Sequence, residues 1–276
     1  MEASSKRRSF ESRRLHSDSH PKPTLQRRIE SIAIMLLLLT VSCASDPASP
    51  EAISKEIEKL KSPRSAERVA AIVRLGNLGE KALPAVPALL QKLSDGDEAT
   101  IEQTESNGAS TTKTRVNEQA AIALGKIGKP AIDPLLDYVH KGQYPAWAIQ
   151  ALSNMGEPAV EPLAGLAENE SDDRIRGQSI EALGKIDNPR ALQVVTSALR
   201  DKSVYVRQKS VDALLRSKDK SIAVVQALID ALKDQSSYIS GKALEALKAR
   251  TGAGNDLQFD QEKWRKWLDA NKNKFS

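Results

Sequence analysis

The chain has 276 residues, 40% hydrophobic but only 4% aromatic, with 41 Lys/Arg, 36 Asp/Glu and one cysteine. That length suits one large domain or two small ones, and a lone cysteine excludes a disulfide framework. A core so poor in aromatics must be built of Ala, Leu, Ile and Val, which suits closely packed helices better than a sandwich or barrel. The net charge of +5 is concentrated at the start: residues 1–42 hold eight Lys/Arg against four acids, leaving 33 basic and 32 acidic side chains in the remainder. A phosphate-binding surface needs a concentrated positive stripe. No such run follows residue 42, so no nucleic-acid partner is expected.

Residues 1–42 read as a signal peptide. A basic, Ser-rich stretch up to Arg28 precedes ten uncharged residues, Ile32 to Val41, too few for a membrane-spanning helix, which needs about 20. The sole cysteine, Cys43, follows at once. Thr40-Val41-Ser42-Cys43 resembles a bacterial lipobox, in which a small residue precedes the cysteine that receives lipid and becomes the new N-terminus. The expectation is export to the cell envelope, with Cys43 as the lipid attachment site and 43–51 as a short tether. Ordinary cleavage near Ser42-Cys43-Ala44 with plain secretion, and retention of the segment as an anchor, are the alternatives.

From residue 52 onward one pattern repeats. A small residue is followed four positions later by Leu at Ala71/Leu75, Ala120/Leu124, Ala148/Leu152, Ser179/Leu183, Ser210/Leu214 and Ala243/Leu247. The i, i+4 spacing puts both on one helix face, where the small member lets a neighbouring backbone approach. Val116, Tyr144, Ile175, Val206 and Ile239 extend the stripe by one turn. A second apolar helix follows each first one, marked by Leu135-Leu136, Val160 with Leu163, Leu192 with Val195, and Leu228 with Leu232. Gly79, Gly128 and Gly156 stand where a left-handed C-terminal cap is favoured. Pro84, Pro130, Pro158 and Pro189 then suit a first helical turn, where the N–H they lack has no partner. Pro134 and Pro162 make the second helix start late or bend.

The first two Ala/Leu pairs lie 49 residues apart, against 28 to 33 elsewhere. The excess falls in the polar stretch 94–114, read as an insertion loop. Its Asp95-Gly96-Asp97-Glu98 lacks the remaining ligand positions of a calcium loop, and no metal site is expected. Ile53, Ile57 and Leu60 mark an N-terminal helix, and Trp264, Trp267 and Leu268 mark a C-terminal capping helix over 260–271. Each closes an end of the stack.

The stretch "VNEQAAIALGKIGKPAIDPL", with "RIRGQSIEALGKIDNPRAL" and "YVRQKSVDALLRSKD", resembles the HEAT-like repeats of bacteria, the type also found in phycobilisome lyases. The resemblance covers about residues 63–270. It implies an all-α fold, an α-solenoid of about six stacked helical hairpins in a right-handed superhelix, with second helices lining the concave side.

Catalytic chemistry is poorly supplied, and neither an enzyme nor a cofactor site is expected. Beyond residue 42 there is one histidine, His140, read as a surface cap at a helix C-terminus. Acid pairs such as Asp133/Asp137 and Glu157/Glu161 fit a solvated ridge. Trp147 breaks its column, aligning with Gln119, Gln178, Lys209 and Lys242, and is the candidate partner contact; cover by the 94–114 insertion is the competing explanation. Tyr205 and Tyr238 share another column, read as packing between repeats. The pattern points to a non-catalytic surface that binds another protein and is held at the membrane by an N-terminal lipid. The phycobilisome-lyase likeness implies a lyase-like or chaperone role as the alternative.

Overall fold

Residues 47–276 form one compact unit in the computed structural model, which describes residues 46–105, 108–142, 144–217, 219–253 and 256–275. The expected signal peptide and Cys43 lie outside the described residues. Helix α1 (Pro50–Lys59) opens with Ser49 accepting from the Ala52 N–H and Pro50 at its first position, and buries Ile53 and Leu60. Six hairpins follow. Their first helices are α2 (Ser65–Asn77), α4 (Val116–Ile127), α6 (Pro145–Met155), α8 (Asp173–Leu183), α10 (Val204–Arg216) and α12 (Ser237–Thr251). Their second helices are α3 (Val86–Gln91), α5 (Ile132–Lys141), α7 (Val160–Asn169), α9 (Pro189–Ser197), α11 (Ile222–Ala231) and α13 (Gln261–Asn271).

Each first helix packs on the next, α2 on α4 through to α10 on α12, giving an α-solenoid. The small/Leu column lies at this contact, and all twelve of its side chains are buried. The residue after the Leu matters as well. A Cβ on Gly76 would lie 2.8 Å from Ala123 Cα, inside the range any real contact tolerates, so glycine is what lets α2 and α4 approach. One continuous core results, running from Ile53 to Leu268.

The corners differ in detail from a left-handed cap. Gly128 and Gly156 do have positive φ, 82° and 72°, but with ψ of −150° and −133°, a region glycine alone enters freely. A 3-10 turn carrying the proline follows each, Lys129–Ala131 and Glu157–Ala159, and the second helix starts only after it. Tyr144 departs from its column. It precedes α6 as an N-terminal flank and is 48% exposed, because Pro145 starts the helix one residue too late to include it.

The insertion is not a loop. Strands β1 (Glu98–Glu105) and β2 (Gly108–Arg115) pair antiparallel, with Glu98 opposite Arg115 and Glu105 opposite Gly108. The β-branched Thr100, Ile101, Thr104, Thr111, Thr112 and Thr114 favour extended backbone, and Asn107-Gly108 is a strong hairpin signal in a sequence. The ribbon packs on α2 and α4. Paired Ala99 and Thr114 are buried, and the Ser65 hydroxyl donates to Glu98 O at 2.7 Å. Its base is closed where Val116 N–H donates to Asp97 O and Asn117 N–H to Asp95 O, so the ribbon is inserted without disturbing the stack.

A series of arginine–aspartate rungs reinforces the solenoid. Buried Arg176 of α8 donates to Asp201 Oδ2 at 3.0 Å and Oδ1 at 2.9 Å, and to the carbonyls of Glu170 and Ser171 at 3.0 Å each. Arg207 repeats this one hairpin later with Asp234, at 2.7 and 3.2 Å, and with the carbonyls of Asp201 and Lys202. Arg68 does so with Asp95 at 3.0 Å and Asp97 at 2.5 Å, and with the carbonyls of Ser62 and Pro63. Asp95 and Asp97 thus both pair with the Arg68 guanidinium. Asp201 and Asp234 also accept from the N–H of Ser203 and Ser236.

Burial pushes the carboxyl of Asp201 up, but the Arg176 guanidinium and the Ser203 N–H outweigh it and hold the group below its ordinary value; Asp234 behaves alike with Arg207 and Ser236. A depressed carboxyl stabilises the fold above the unfolded value of about 4 and loses that contribution as pH falls through the lower folded value. The difference in denaturation midpoint between the native chain and Asp201→Asn should therefore be full at neutral pH and shrink below about pH 4. The two column serines should also diverge. Ser210 Oγ donates to Val195 O at 2.5 Å, whereas the equally buried Ser179 Oγ has no partner. In urea titrations Ser210→Ala should cost about 1 kcal/mol, and Ser179→Ala should be neutral or stabilising.

Candidate functional site

One depression on the solenoid surface lies across the first helices. Its walls come from three successive hairpins: Ala146, Ile149 and Gln150 of α6, Gln178, Glu181 and Ala182 of α8 with Lys185 just beyond, and Tyr205 and Lys209 of α10. It encloses about 230 Å³. Its floor exists because Gly177 has no side chain. A Cβ there would overlap the Tyr205 ring, so Tyr205 packs onto the preceding hairpin, as its column suggested. Tyr238 does the same by donating to Asp212 Oδ1 at 2.8 Å.

The groove's charges are shared unevenly. Lys209 Nζ lies 2.5 Å from Glu181 Oε2 and 5.5 Å from the Tyr205 ring centroid, while Lys185 Nζ lies 3.9 Å from Glu181 Oε1 and 3.3 Å from Gln150 Oε1. Two ammonium groups thus flank one carboxylate. Hydrogen bonding to Glu181 raises the Lys209 ammonium above its ordinary value, and the same bond holds Glu181 below its own; both stay ionised at neutral pH. Gln178 Oε1, closed off from solvent, has no hydrogen-bond partner, which costs about 1–3 kcal/mol for a buried acceptor.

Two further depressions lie among the second helices. One of about 530 Å³ has an apolar floor of Leu90, Pro134 and Tyr138 with Asp133, Asp137 and Lys141 at its edge. The other, of about 320 Å³, holds Arg200 and Arg265 around Asp230, at 2.8 and 3.0 Å. Charge along this layer is polarised. Residues 129–141 and 157–170 carry six acids against two lysines, whereas 187–200, 219–233 and 260–274 carry nine Lys/Arg against six acids.

The expected site residues take different places. Trp147 is partly buried and packs against the core; its column mates Gln178 and Lys209 line the groove, and its own helix supplies one wall. The β-ribbon packs on α2 and α4 rather than on Trp147's helix as its main seat. Cys43 lies outside the described residues. His140 is exposed in the last turn of α5, and its Nε2 lies 2.7 Å from Glu170 Oε1, linking the second and third hairpins. At the C-terminal end Trp264 is fully buried, donates to Gln258 O at 2.7 Å, and meets Trp267 edge-on at 6.0 Å, forming a lid. Among the described residues no three His, Cys, Asp or Glu side chains gather as a metal-binding group, and no helix is long and apolar enough to cross a membrane.

Sequence reading missed the Lys209–Glu181 pair and the Tyr205–Gly177 contact. Both join residues 28 apart on neighbouring helices, close to one repeat length, and that spacing was the available signal.

Residues 143–215 match the family described as HEAT repeats, a span that takes in the third and fourth hairpins and the first helix of the fifth. No curated protein matches the chain in sequence. Among solved structures it is similar to the CpcE–CpcF complex of phycocyanin lyase from Nostoc sp. PCC7120, at 17% identity over 59% of this chain and 98% of that one, with a TM-score of 0.43. A designed armadillo repeat protein in complex with the peptide (KR)4 is 16% identical over 72% of this chain and 99% of that one, with a TM-score of 0.38. Kap95p bound to RanGDP is 15% identical over 83% of this chain and 33% of that one, with a TM-score of 0.44.

Overpacking at Gly177 tests the groove floor. Gly177→Ala should cost about 1–3 kcal/mol in chemical denaturation, and most of that loss should vanish when Tyr205→Ala is made in the same chain.

Proposed function

We propose that this protein is a non-catalytic scaffold that binds another protein at the cell envelope, exported by its first 42 residues and anchored by lipid on Cys43. The observation that carries the reading is the single core shared by six hairpins. Such a stack holds side chains from successive repeats in fixed rows, and a rigid row recognises a partner at low ordering cost. The near balance of 33 basic and 32 acidic residues beyond residue 42 favours a protein partner over a polyanion. The uncharged run from Ile32 to Val41 ending at Cys43 supports the anchor. Trp147 is the side chain proposed to contribute most to the contact, since a large aromatic replaces a long polar residue in its column.

Chemical crosslinking of the anchored protein in native envelopes, followed by mass spectrometry, should capture one dominant partner. Trp147→Ala should reduce that capture severalfold while leaving the helical circular dichroism unchanged; undiminished capture would retire Trp147. Cys43→Ser should abolish labelling by radioactive palmitate and move the protein out of the membrane fraction.

A further inference from the structure

We infer that the groove across α6, α8 and α10 is a binding site for an acidic segment of the partner, with a carboxylate seated between Lys185 and Lys209. The inference rests on the protein-binding reading above and names the chemistry of what is bound. Glu181 is the one acid lining the groove and it serves two ammonium groups, tightly at Lys209 and at the limit of an ion pair at Lys185. Lys185 keeps nearly half its side chain exposed, at 46%, so its remaining donors face solvent. A second carboxylate completes an alternating row of charges without displacing the first, and two charge-assisted bonds in a partly desolvated groove favour it over water.

Two further features fit the same occupant. Gln178 carries a buried amide oxygen with no donor, and a rotation of that amide presents the oxygen to a main-chain N–H of a bound segment. Tyr205, fixed against Gly177, gives the segment a rigid face. The neighbouring second helices over 129–141 and 157–170, with six acids against two lysines, repel an acidic chain.

The test uses the full chain and a blocked peptide, acetyl-Gly-Glu-Gly-Glu-Gly-amide, with a zero-length carbodiimide that joins only carboxylates and amines in direct contact. Peptide adducts should concentrate on Lys185, above Lys129, Lys233 and Lys266, since the same reagent joins Lys209 to Glu181 within the chain. A fluorescent version of the peptide should bind about fivefold more weakly to Lys185→Gln, the loss expected for one partly exposed pair, and less than twofold more weakly to Lys233→Gln. Glutamine keeps the side-chain stem and leaves the Lys209–Glu181 pair in place, so the fold is preserved. Adducts spread evenly over all lysines, or equal binding by the two variants, would overturn the assignment. Native capture that persists in that event would leave the scaffold reading standing with a different surface, whereas loss of capture alone would remove the scaffold and not the groove.

Discussion

No hairpin in this chain can bury its own apolar face. With aromatics at 4%, each first helix presents a stripe of Ala, Ser and Leu that becomes a core only when the next hairpin covers it. Close approach substitutes for bulk. Small residues at Ala71, Ala120, Ala148, Ser179, Ser210 and Ala243, and the bare backbone at Gly76, let neighbouring helices pack tightly enough for short side chains to fill the space. Ile53 and Leu60 of the N-terminal helix join this core at one end, and Trp264 and Leu268 join it at the other. Everything on the surface inherits its position from this arrangement.

The arginine rungs work differently. Removing a partly desolvated ion pair in favour of apolar groups is often no loss in stability, but each guanidinium here also satisfies two carbonyls in the turn before its own helix. Arg176, Arg207 and Arg68 therefore fix the turn between hairpins as well as the pairing. The corresponding positions in the second, third and sixth hairpins are Asn117, Pro145 and Ser240. Neighbouring joints are held by other means: His140 reaches Glu170, and Arg250 donates to the carbonyls of Leu214, Ser217, Asp219 and Ala246. The groove proposed to bind an acidic segment lies across the third to fifth hairpins, the last two of which carry the consecutive rungs of Arg176 and Arg207.

Much of this was legible in the residues. The small/Leu column recurs in one helix turn, so its period is visible directly, and it placed six hairpins, their corners and both ends. What escaped notice crosses between elements. The β-ribbon has no apolar face long enough to show alternation; its Thr residues and Asn107-Gly108 carried the signal instead. The rungs join residues 25 to 29 apart, such as Arg176 to Asp201 and Arg207 to Asp234, and no local pattern marks an arginine as buried. The groove escaped for the same reason, since Lys209, Glu181 and Gly177 have meaning only once α8 and α10 lie side by side. Trp147 stood out in its column, yet its packing against the core was not readable from alignment.

A linear stack and a closed globule respond differently to the same damage. Native-state hydrogen exchange on Leu247→Ala, whose side chain is fully buried in the sixth hairpin, separates them. With contacts passed only between neighbours, protection should fall most in α12 and α13, less in α10 and α11, and remain at its original level in α2 and α4. A uniform loss of protection across all six hairpins would contradict the account.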